Sequence, residues 1–304
     1  MNNLRSLPKL RDSISFLYFE HAKIEKDQNA IKVLDAQGVT QIPVSSVSSL
    51  LLGPGTTITH DAVRIIVENG CSLIWTGEEG VRTYAFGTGE TKKSGRLMKQ
   101  VQMWADLETR LRVVVNMYKF RFSEPLQNGL SLQQIRGKEG IRVREAYAKF
   151  SKEYGVEWKG RSYDRTGWQN SAPINRALST ANSCLYGLVH AAIVSTGYSP
   201  ALGFIHTGKQ LSFVYDIADM YKVENSIPVA FQAVSASATN LEQTVRRAMR
   251  DRFKETKLIQ NIVSDIDKIL EVEESIESEY DNDPAKPSGY WDPPPETEAK
   301  ILCL

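Results

Sequence analysis

The hydrophobic pattern of the chain changes its period near Ser94, and this change limits the folds that the sequence can adopt. Before Ser94, short runs of β-branched and aromatic residues alternate with turn residues, which is typical of β-strands. The predicted strands cover residues 13–24, 30–34, 39–44, 48–52, 71–75 and 81–85. One predicted helix, residues 59–70, lies among them and ends at a glycine. The first part of the chain is therefore predicted to be a small, mostly antiparallel β domain.

After Ser94 the apolar residues recur at helical spacing. The predicted helical segments are residues 97–122, 132–154, 174–195, 213–221, 228–234 and 241–279. We therefore predict an α+β fold with four parts. They are a small N-terminal β-rich domain (1–88), a glycine-containing linker (89–95), a larger all-α domain (96–279) and a disordered, acidic, proline-rich C-terminal tail (280–304).

Charge is distributed unevenly along the 304 residues, although the formal net charge is only +1. Residues 91–165 contain 17 Lys and Arg against 8 Asp and Glu, whereas residues 265–304 contain 3 against 12. A basic region that also carries aromatic residues suits phosphate backbones and stacked bases. The alternative is a set of solvated helix faces with no ligand.

No targeting or membrane segment is expected from the sequence. The N-terminus lacks the apolar core of a signal peptide, and no apolar stretch reads as long enough to span a bilayer. Three cysteines far apart in the chain, Cys71, Cys184 and Cys303, do not make a disulfide framework and are expected to be reduced. We therefore expect a cytoplasmic protein.

Two carboxylates lie three residues apart in an otherwise apolar run. Asp216 and Asp219 follow shortly after the lone His206. Residues at i and i+3 share one face of a helix, and a charge in apolar surroundings needs a compensating cation or hydrogen-bond donors. A bound metal is one such compensation. Alternatively, His206 only forms a hydrogen bond within a loop, and Asp216 only caps a helix.

A third candidate ligand, Glu139, is surrounded in the sequence by four cationic side chains. Neighbouring cations favour the ionised form of a carboxyl group. With His206 and Asp219, and with Asp216 behind them, Glu139 would complete an oxygen and imidazole site for Mg²⁺ or Mn²⁺. The alternative is that Glu139 only forms a salt bridge with Arg136 or Arg142.

Four further side chains are candidates for substrate contacts. Lys209 follows Thr207 and a glycine, but the upstream glycine of a phosphate-binding loop is missing, so Lys209 is instead a candidate to neutralise a phosphate. Tyr186 is a candidate for positioning the substrate or transferring a proton. The alternative is that it packs in the core. Arg64 and Arg82 suit phosphate contacts, or else are ordinary surface charges.

Several sequence blocks together resemble a known family. These blocks are residues 51–57 (LLGPGTT), 134–140 (QIRGKEG), 183–187 (SCLYG) and 203–219 (GFIHTGKQLSFVYDIAD). They are similar to the CRISPR-associated integrase, the catalytic subunit of spacer acquisition, and specifically to its type I-E branch. The resemblance spans roughly residues 13–257.

The resemblance implies roles for individual residues. It implies that Glu139, His206 and Asp219 bind the metal and that Asp216 is a further acidic site residue. It places Lys209 and Tyr186 near the scissile phosphate. It implies that Arg64 and Arg82 contact DNA, and that Tyr163 and Trp168 help to recognise the protospacer-adjacent motif of the incoming DNA.

The resemblance also implies an activity and an assembly. The activity is metal-dependent joining of the 3′-hydroxyl ends of short protospacer DNA into the CRISPR repeat, with endonuclease activity at the same site. In the family, homodimers form through the β domains, and two dimers flank a dimer of a small ferredoxin-like subunit. The alternatives are a metal-dependent structure-specific nuclease or resolvase without integration activity, and a non-catalytic DNA-binding scaffold.

Overall fold

The computed structural model describes residues 17–47, 49–77, 83–87, 94–127, 129–161, 171–236 and 240–271. Within these residues a β-rich part with one helix comes first, and a part built only of helices follows. The predicted α+β fold class is therefore confirmed.

In the described residues of the β-rich part the strands form two four-stranded sheets. The strands are β1 (Leu17–Phe19), β2 (Lys23–Asp27), β3 (Ala30–Asp35), β4 (Gly38–Pro43), β5 (Ser49–Leu52), β6 (Thr57–Ile58), β7 (Ser72–Thr76) and β8 (Thr83–Gly87). One sheet has the order β1-β5-β7-β8 and the other has the order β4-β3-β2-β6.

The prediction of a mostly antiparallel β domain is correct for the sheet β4-β3-β2-β6 but wrong for the sheet β1-β5-β7-β8. Strands β1, β5 and β7 run parallel to one another, and β2 pairs with β6 in parallel, while the remaining pairs are antiparallel. Helix α1 (His60–Glu68) crosses between β5 and β7, so the chain returns in the same direction and these two strands are parallel. The Thr59 side chain caps this helix by accepting a hydrogen bond from the Ala62 amide.

The first predicted strand, residues 13–24, is in fact divided between the two sheets. His21 adopts a left-handed backbone with φ of 47°, which ends β1 and redirects the chain into β2. The part of this prediction before Leu17 lies outside the described residues.

The helical part contains eight helices within the described residues. They are α2 (Gly95–Ala105), α3 (Leu107–Phe120), α4 (Leu132–Tyr154), α5 (Pro173–Thr196), α6 (Ser212–Ala218), α7 (Ser226–Ser235), α8 (Leu241–Glu255) and α9 (Leu258–Ile269). The predicted segment 97–122 is two helices, because Asp106 has an extended backbone and its side chain caps α3. The predicted segment 241–279 breaks at Lys257, where φ is 47°.

Helix α5 forms the centre of the helical core and packs against α6, α7, α8 and α9. Its segment Pro173–Val194 is long and apolar enough to cross a membrane by length and composition, contrary to the expectation from sequence. However, 83% of its apolar window is buried inside the fold. We therefore interpret α5 as a core helix.

The β-rich and helical parts meet along the part of α5 that carries His190 and Ala191. Ala191 on α5 packs with Leu51 of β5 and Ile74 of β7. The neighbouring His190 contacts the Phe86 ring edge to face, with 5.1 Å between centroids. The two parts thus belong to one compact unit. The predicted domain limits at 88 and 96 stay a prediction, since most of the linker and the whole tail lie outside the described residues.

Candidate active site

The loop between α5 and α6 carries His206, and a buried carboxylate shapes this loop. Asp216 of α6 is completely buried and accepts hydrogen bonds from the amides of Phe204, Ile205 and His206 at 2.6, 3.0 and 2.9 Å. Its Oδ1 also lies 2.7 Å from Nδ1 of the His206 ring. Asp216 therefore fixes both the backbone and the side chain of His206.

Helix α2 also holds this loop, through the side chains of Gln100 and Trp104. The fully buried Gln100 side chain donates to the carbonyls of Ser199 and Leu202 and accepts from the Ser199 amide. Trp104 Nε1 donates to the Gly203 carbonyl at 3.0 Å. A Cβ atom on Gly203 would lie 2.3 Å from the His206 carbonyl oxygen, so only glycine fits at this close approach.

The electrostatic surroundings of His206 favour its protonated form. The hydrogen bond to Asp216 raises the pKa of His206, and the charges of Asp216 and Asp219 add to this effect, although burial opposes it. Because a carboxylate only accepts hydrogen bonds, Nδ1 carries the proton and Nε2 is left for another partner. The His206 ring lines a cleft of about 360 Å³ together with Thr207, Lys209, Ser212 and Tyr215.

Asp219 ends α6 and is paired with a lysine that was not among the candidates from sequence. Lys222 Nζ donates to Asp219 Oδ1, and the same ammonium group lies 4.9 Å from the centre of the Tyr186 ring. Burial alone would lower the pKa of Lys222, but Asp219 and Tyr186 outweigh it and raise that pKa. Tyr186 in turn meets Tyr215 edge to face, and Tyr215 meets His206. These side chains therefore form one continuous group.

Glu139 lies on α4 and forms ion pairs with two arginines. Arg142 Nε donates to Oε2 at 2.8 Å, and Arg142 Nη2 donates to Oε1 at 3.0 Å. Arg121, at the end of α3, reaches Oε1 at 3.5 Å. The salt bridge with Arg142, one of the alternatives left open by the sequence, is present.

The structure brings together only some of the predicted site residues. His206 and Lys209 line the cleft. Asp216 and Asp219 interact with His206, and Tyr186 contacts the lining residue Tyr215. Among the residues that the structure describes, no three His, Cys, Asp or Glu side chains come close enough together to hold a metal ion. The assignment of Glu139, His206 and Asp219 as metal ligands stays a prediction.

The predicted DNA contacts lie elsewhere or outside the described part of the chain. Arg64 is on α1 in the β-rich part, where it is exposed and forms an ion pair with Asp61 at 3.2 Å. Arg82, Tyr163 and Trp168 lie outside the described residues. Their roles as DNA contacts stay predictions.

Sequence reasoning missed the residues that hold the site residues in place. A local signal existed for Lys222, which follows Asp219 by three positions just as Arg142 follows Glu139. No local signal existed for Arg121 or Gln100, whose partners are 18 and about 100 residues away.

The site contains a buried carboxylate that orients a histidine, and a second carboxylate and lysines lie nearby. This class of site is suited to proton transfer and phosphate binding. In a basic helical domain that follows a β-rich domain, this is the chemistry of a nucleic-acid enzyme. Comparison with known proteins gives the family.

The family model for CRISPR associated protein Cas1 matches residues 16–127 and 121–225. The chain is 50% identical to CRISPR-associated endonuclease Cas1 2 of Thermus thermophilus, over 98% of this chain and 93% of that protein. It is 41% identical to CRISPR-associated endonuclease Cas1 of a Clostridium species, over 94% of each. A solved structure of a TtCas1–DNA complex superposes with a TM-score of 0.77 at 51% identity, over 88% of this chain and 100% of that chain. The chain therefore belongs to the Cas1 family of CRISPR-associated nucleases.

Proposed function

We propose that the chain is a metal-dependent DNA integrase of CRISPR adaptation. It joins the 3′-hydroxyl ends of short protospacer DNA into the CRISPR repeat by transesterification, and it cleaves DNA at the same site. The observation that carries this proposal is the His206 ring, which Asp216 orients at the wall of a cleft within electrostatic reach of Asp219. The relative solved as a DNA complex supports DNA as the substrate.

The proposed metal ligands are Glu139, His206 and Asp219, for Mg²⁺ or Mn²⁺. Their carboxylate oxygens and imidazole nitrogen are donor types that bind a hard divalent ion. A ligating histidine normally donates its second ring N–H to a carboxylate, which is the arrangement of His206 and Asp216. When bound, the ion would polarise the attacked phosphate and stabilise the departing oxygen.

Two other residues are proposed to neutralise the phosphate and to transfer the proton. Lys209 lines the same cleft as His206, where its charge would offset that of a DNA phosphate. In the reaction, the 3′-oxygen of the incoming strand forms a bond to phosphorus and loses its proton, and the 3′-oxygen of the cut strand leaves and gains one. The Tyr186 hydroxyl, with the Lys222 ammonium beside it, is the group assigned to this proton transfer.

The DNA contacts and the assembly belong to the same proposal. Arg64 is exposed on α1 and would contact a phosphate, with Arg82, Tyr163 and Trp168 as further contacts. We propose a homodimer formed through the β-rich domains, with two dimers flanking a dimer of a small ferredoxin-like subunit. Membership of the type I-E branch stays part of the proposal.

A second candidate function is that of a metal-dependent structure-specific nuclease without integration activity. The endonuclease names of the relatives favour it. It differs from the integrase in that cleavage yields no joined product.

An integration assay separates the two. Purified protein and its small partner subunit are mixed with short duplex DNA with free 3′-hydroxyls, a supercoiled plasmid that carries a repeat, and Mg²⁺ or Mn²⁺. We expect joined product from the wild type and from a His60→Ala control, whose histidine is exposed on α1, and none from His206→Ala. Metal-dependent nicking without joined product in the wild type would favour the nuclease. DNA binding with no reaction at all would favour a scaffold.

A further inference from the structure

The peptide group between Gly203 and Phe204, just before His206, is bonded at both ends. Its carbonyl accepts a hydrogen bond from Trp104 Nε1 at 3.0 Å, and its amide donates to Asp216 at 2.6 Å. A Cβ atom on Gly203 would clash with the His206 carbonyl oxygen, so the His206 backbone packs directly on this peptide group. A shift of the peptide group is therefore passed on to His206.

The next peptide group, between Phe204 and Ile205, is bonded in the same way. Its carbonyl accepts from Arg110 Nε and Nη2 at 3.4 and 3.2 Å, and its amide donates to Asp216 at 3.0 Å. The guanidinium and the carboxylate thus lie at opposite ends of one peptide dipole. This order is favourable, because the carbonyl end faces the cation and the amide end faces the anion.

Trp104 and Arg110 also contact each other. Arg110 Cζ lies over the Trp104 ring, 4.7 Å from its centroid. Trp104 is near the end of α2 and Arg110 is in the first half of α3, so the pair joins two helices to the loop. Both side chains are partly buried, and Trp104 packs against the helical core. The stack holds the guanidinium so that two of its N–H groups point at the Phe204 carbonyl.

We propose that Trp104 and Arg110 position His206 for the reaction, by holding the carbonyl ends of the two peptide groups whose amide ends bind Asp216. Asp216 holds this segment from α6, and the Trp104–Arg110 pair holds it from α2 and α3. Both members of the pair are positioning residues. The inference rests on the proposed function, because only there does His206 take part in a reaction.

The first test follows the His206 ring by nuclear magnetic resonance, in full-length protein that carries isotope-labelled histidine and no added metal or DNA. The chain has only four histidines, so the ring signals are few, and His206→Ala identifies the signal of His206. We expect Arg110→Met and Trp104→Phe to shift this signal, because each removes the donor to one carbonyl. Arg110→Lys retains the charge and a donor, so its shift should be smaller than that of Arg110→Met.

The matched controls replace an arginine and a tryptophan elsewhere. Arg112 of α3 and Trp75 of β7 have exposed side chains. Arg112→Met and Trp75→Phe should leave the His206 signal in place. The signal of the buried His190 shows in each variant whether the protein has folded. If the His206 signal stays in place in folded Arg110→Met and Trp104→Phe, the inference is wrong, and the proposed function is unaffected.

The second test measures the cleavage of plasmid DNA with Mn²⁺. For Arg110→Met we expect kcat to fall about tenfold while KM for DNA stays within about twofold, and Arg110→Lys should recover part of the loss. A raised KM with unchanged kcat and an unmoved His206 signal would show that Arg110 only contacts DNA, which would overturn the inference. A shifted signal with unchanged kcat would confirm the positioning but contradict the proposed role of His206 in the reaction.

Discussion

At the scale of single residues, Asp216 has the most demanding role in the site. It is a fully buried charge, and it is tolerated because three backbone amides and the His206 ring donate to it. All of its hydrogen-bonding capacity is used inside the protein. Its role is therefore to position His206 rather than to contact DNA.

Replacement of this carboxylate should be costly. Asp216→Asn keeps the shape but leaves one acceptor oxygen, and it directs amide protons at backbone donors. We expect the free energy of unfolding to fall by about 2–4 kcal/mol, measured by urea denaturation. The exposed Asp61→Asn should change it by less than about 0.5 kcal/mol, and an Asp216→Asn protein as stable as that control would contradict the assigned role.

At the scale of elements, helix α4 carries Glu139 and has well-defined ends. Its first turn is closed by a capping box, in which Ser131 Oγ accepts from the Gln134 amide and the Gln134 side chain accepts from the Ser131 amide. Its last turn ends at Gly155, whose φ of 64° is the left-handed conformation that glycine adopts most easily. These caps fix where Glu139 and Arg142 lie on the helix.

The capping box predicts a measurable contribution to stability. Ser131→Ala should lower the free energy of unfolding by about 1 kcal/mol, because the Gln134 amide loses its partner and the reciprocal bond is weakened. Ser94 precedes α2 without a side-chain cap, so Ser94→Ala should have almost no effect in the same urea titration. Equal effects of the two substitutions would show that the capping box does not stabilise α4.

Helix α2 contributes Gln100, whose side chain bonds to Ser199 and Leu202 in the segment before His206. Gln100→Met fills a similar volume but leaves three partly buried backbone groups of Ser199 and Leu202 without their partner. We expect a loss of about 2–4 kcal/mol in unfolding free energy and reduced nuclease activity. The exposed Gln102→Met serves as the control. Full activity and stability in Gln100→Met would show that the loop holds its shape without the Gln100 side chain.

At the scale of the whole molecule, the β-rich and helical parts meet at a buried histidine. His190 is only 3% exposed, and neither ring nitrogen has a hydrogen-bond partner among the described residues. Burial lowers the pKa of His190 to about 4. The junction between the two parts is therefore built around a neutral imidazole next to Phe86.

This junction predicts a dependence of stability on pH. The pKa of His190 is about 4 in the folded state and near 6.5 when unfolded. Above pH 6.5 both states are neutral, but between pH 6.5 and 4 only the unfolded state gains a proton, so stability falls by about 3 kcal/mol. His190→Leu should remove this contribution, and the exposed His60→Gln should retain it. Thermal melts from pH 7.5 to 4 test this, and parallel curves for wild type and His190→Leu would contradict it.

The sequence pattern predicted the fold class because periodicity is a local property. The switch from strand to helical period after Ser94 is encoded by near neighbours, and the structure follows it. The breaks at His21, Asp106 and Lys257 were missed, because apolar periodicity continues through a single residue that leaves the regular conformation. The parallel direction of β5 and β7 was missed because it depends on these two strands pairing across the crossover helix α1.

The sequence by itself also determined which residue types lie near one another along the chain, and so it identified His206, Asp216 and Asp219 as one site. Only the tertiary structure decided how they are used. In the folded protein Asp216 is buried next to His206, and Glu139 forms an ion pair with Arg121 at the end of another helix. Gln100 forms hydrogen bonds with a loop about 100 residues away. The physical reason is that such contacts form when helices pack, and the energy of packing depends on partners that no local sequence window contains.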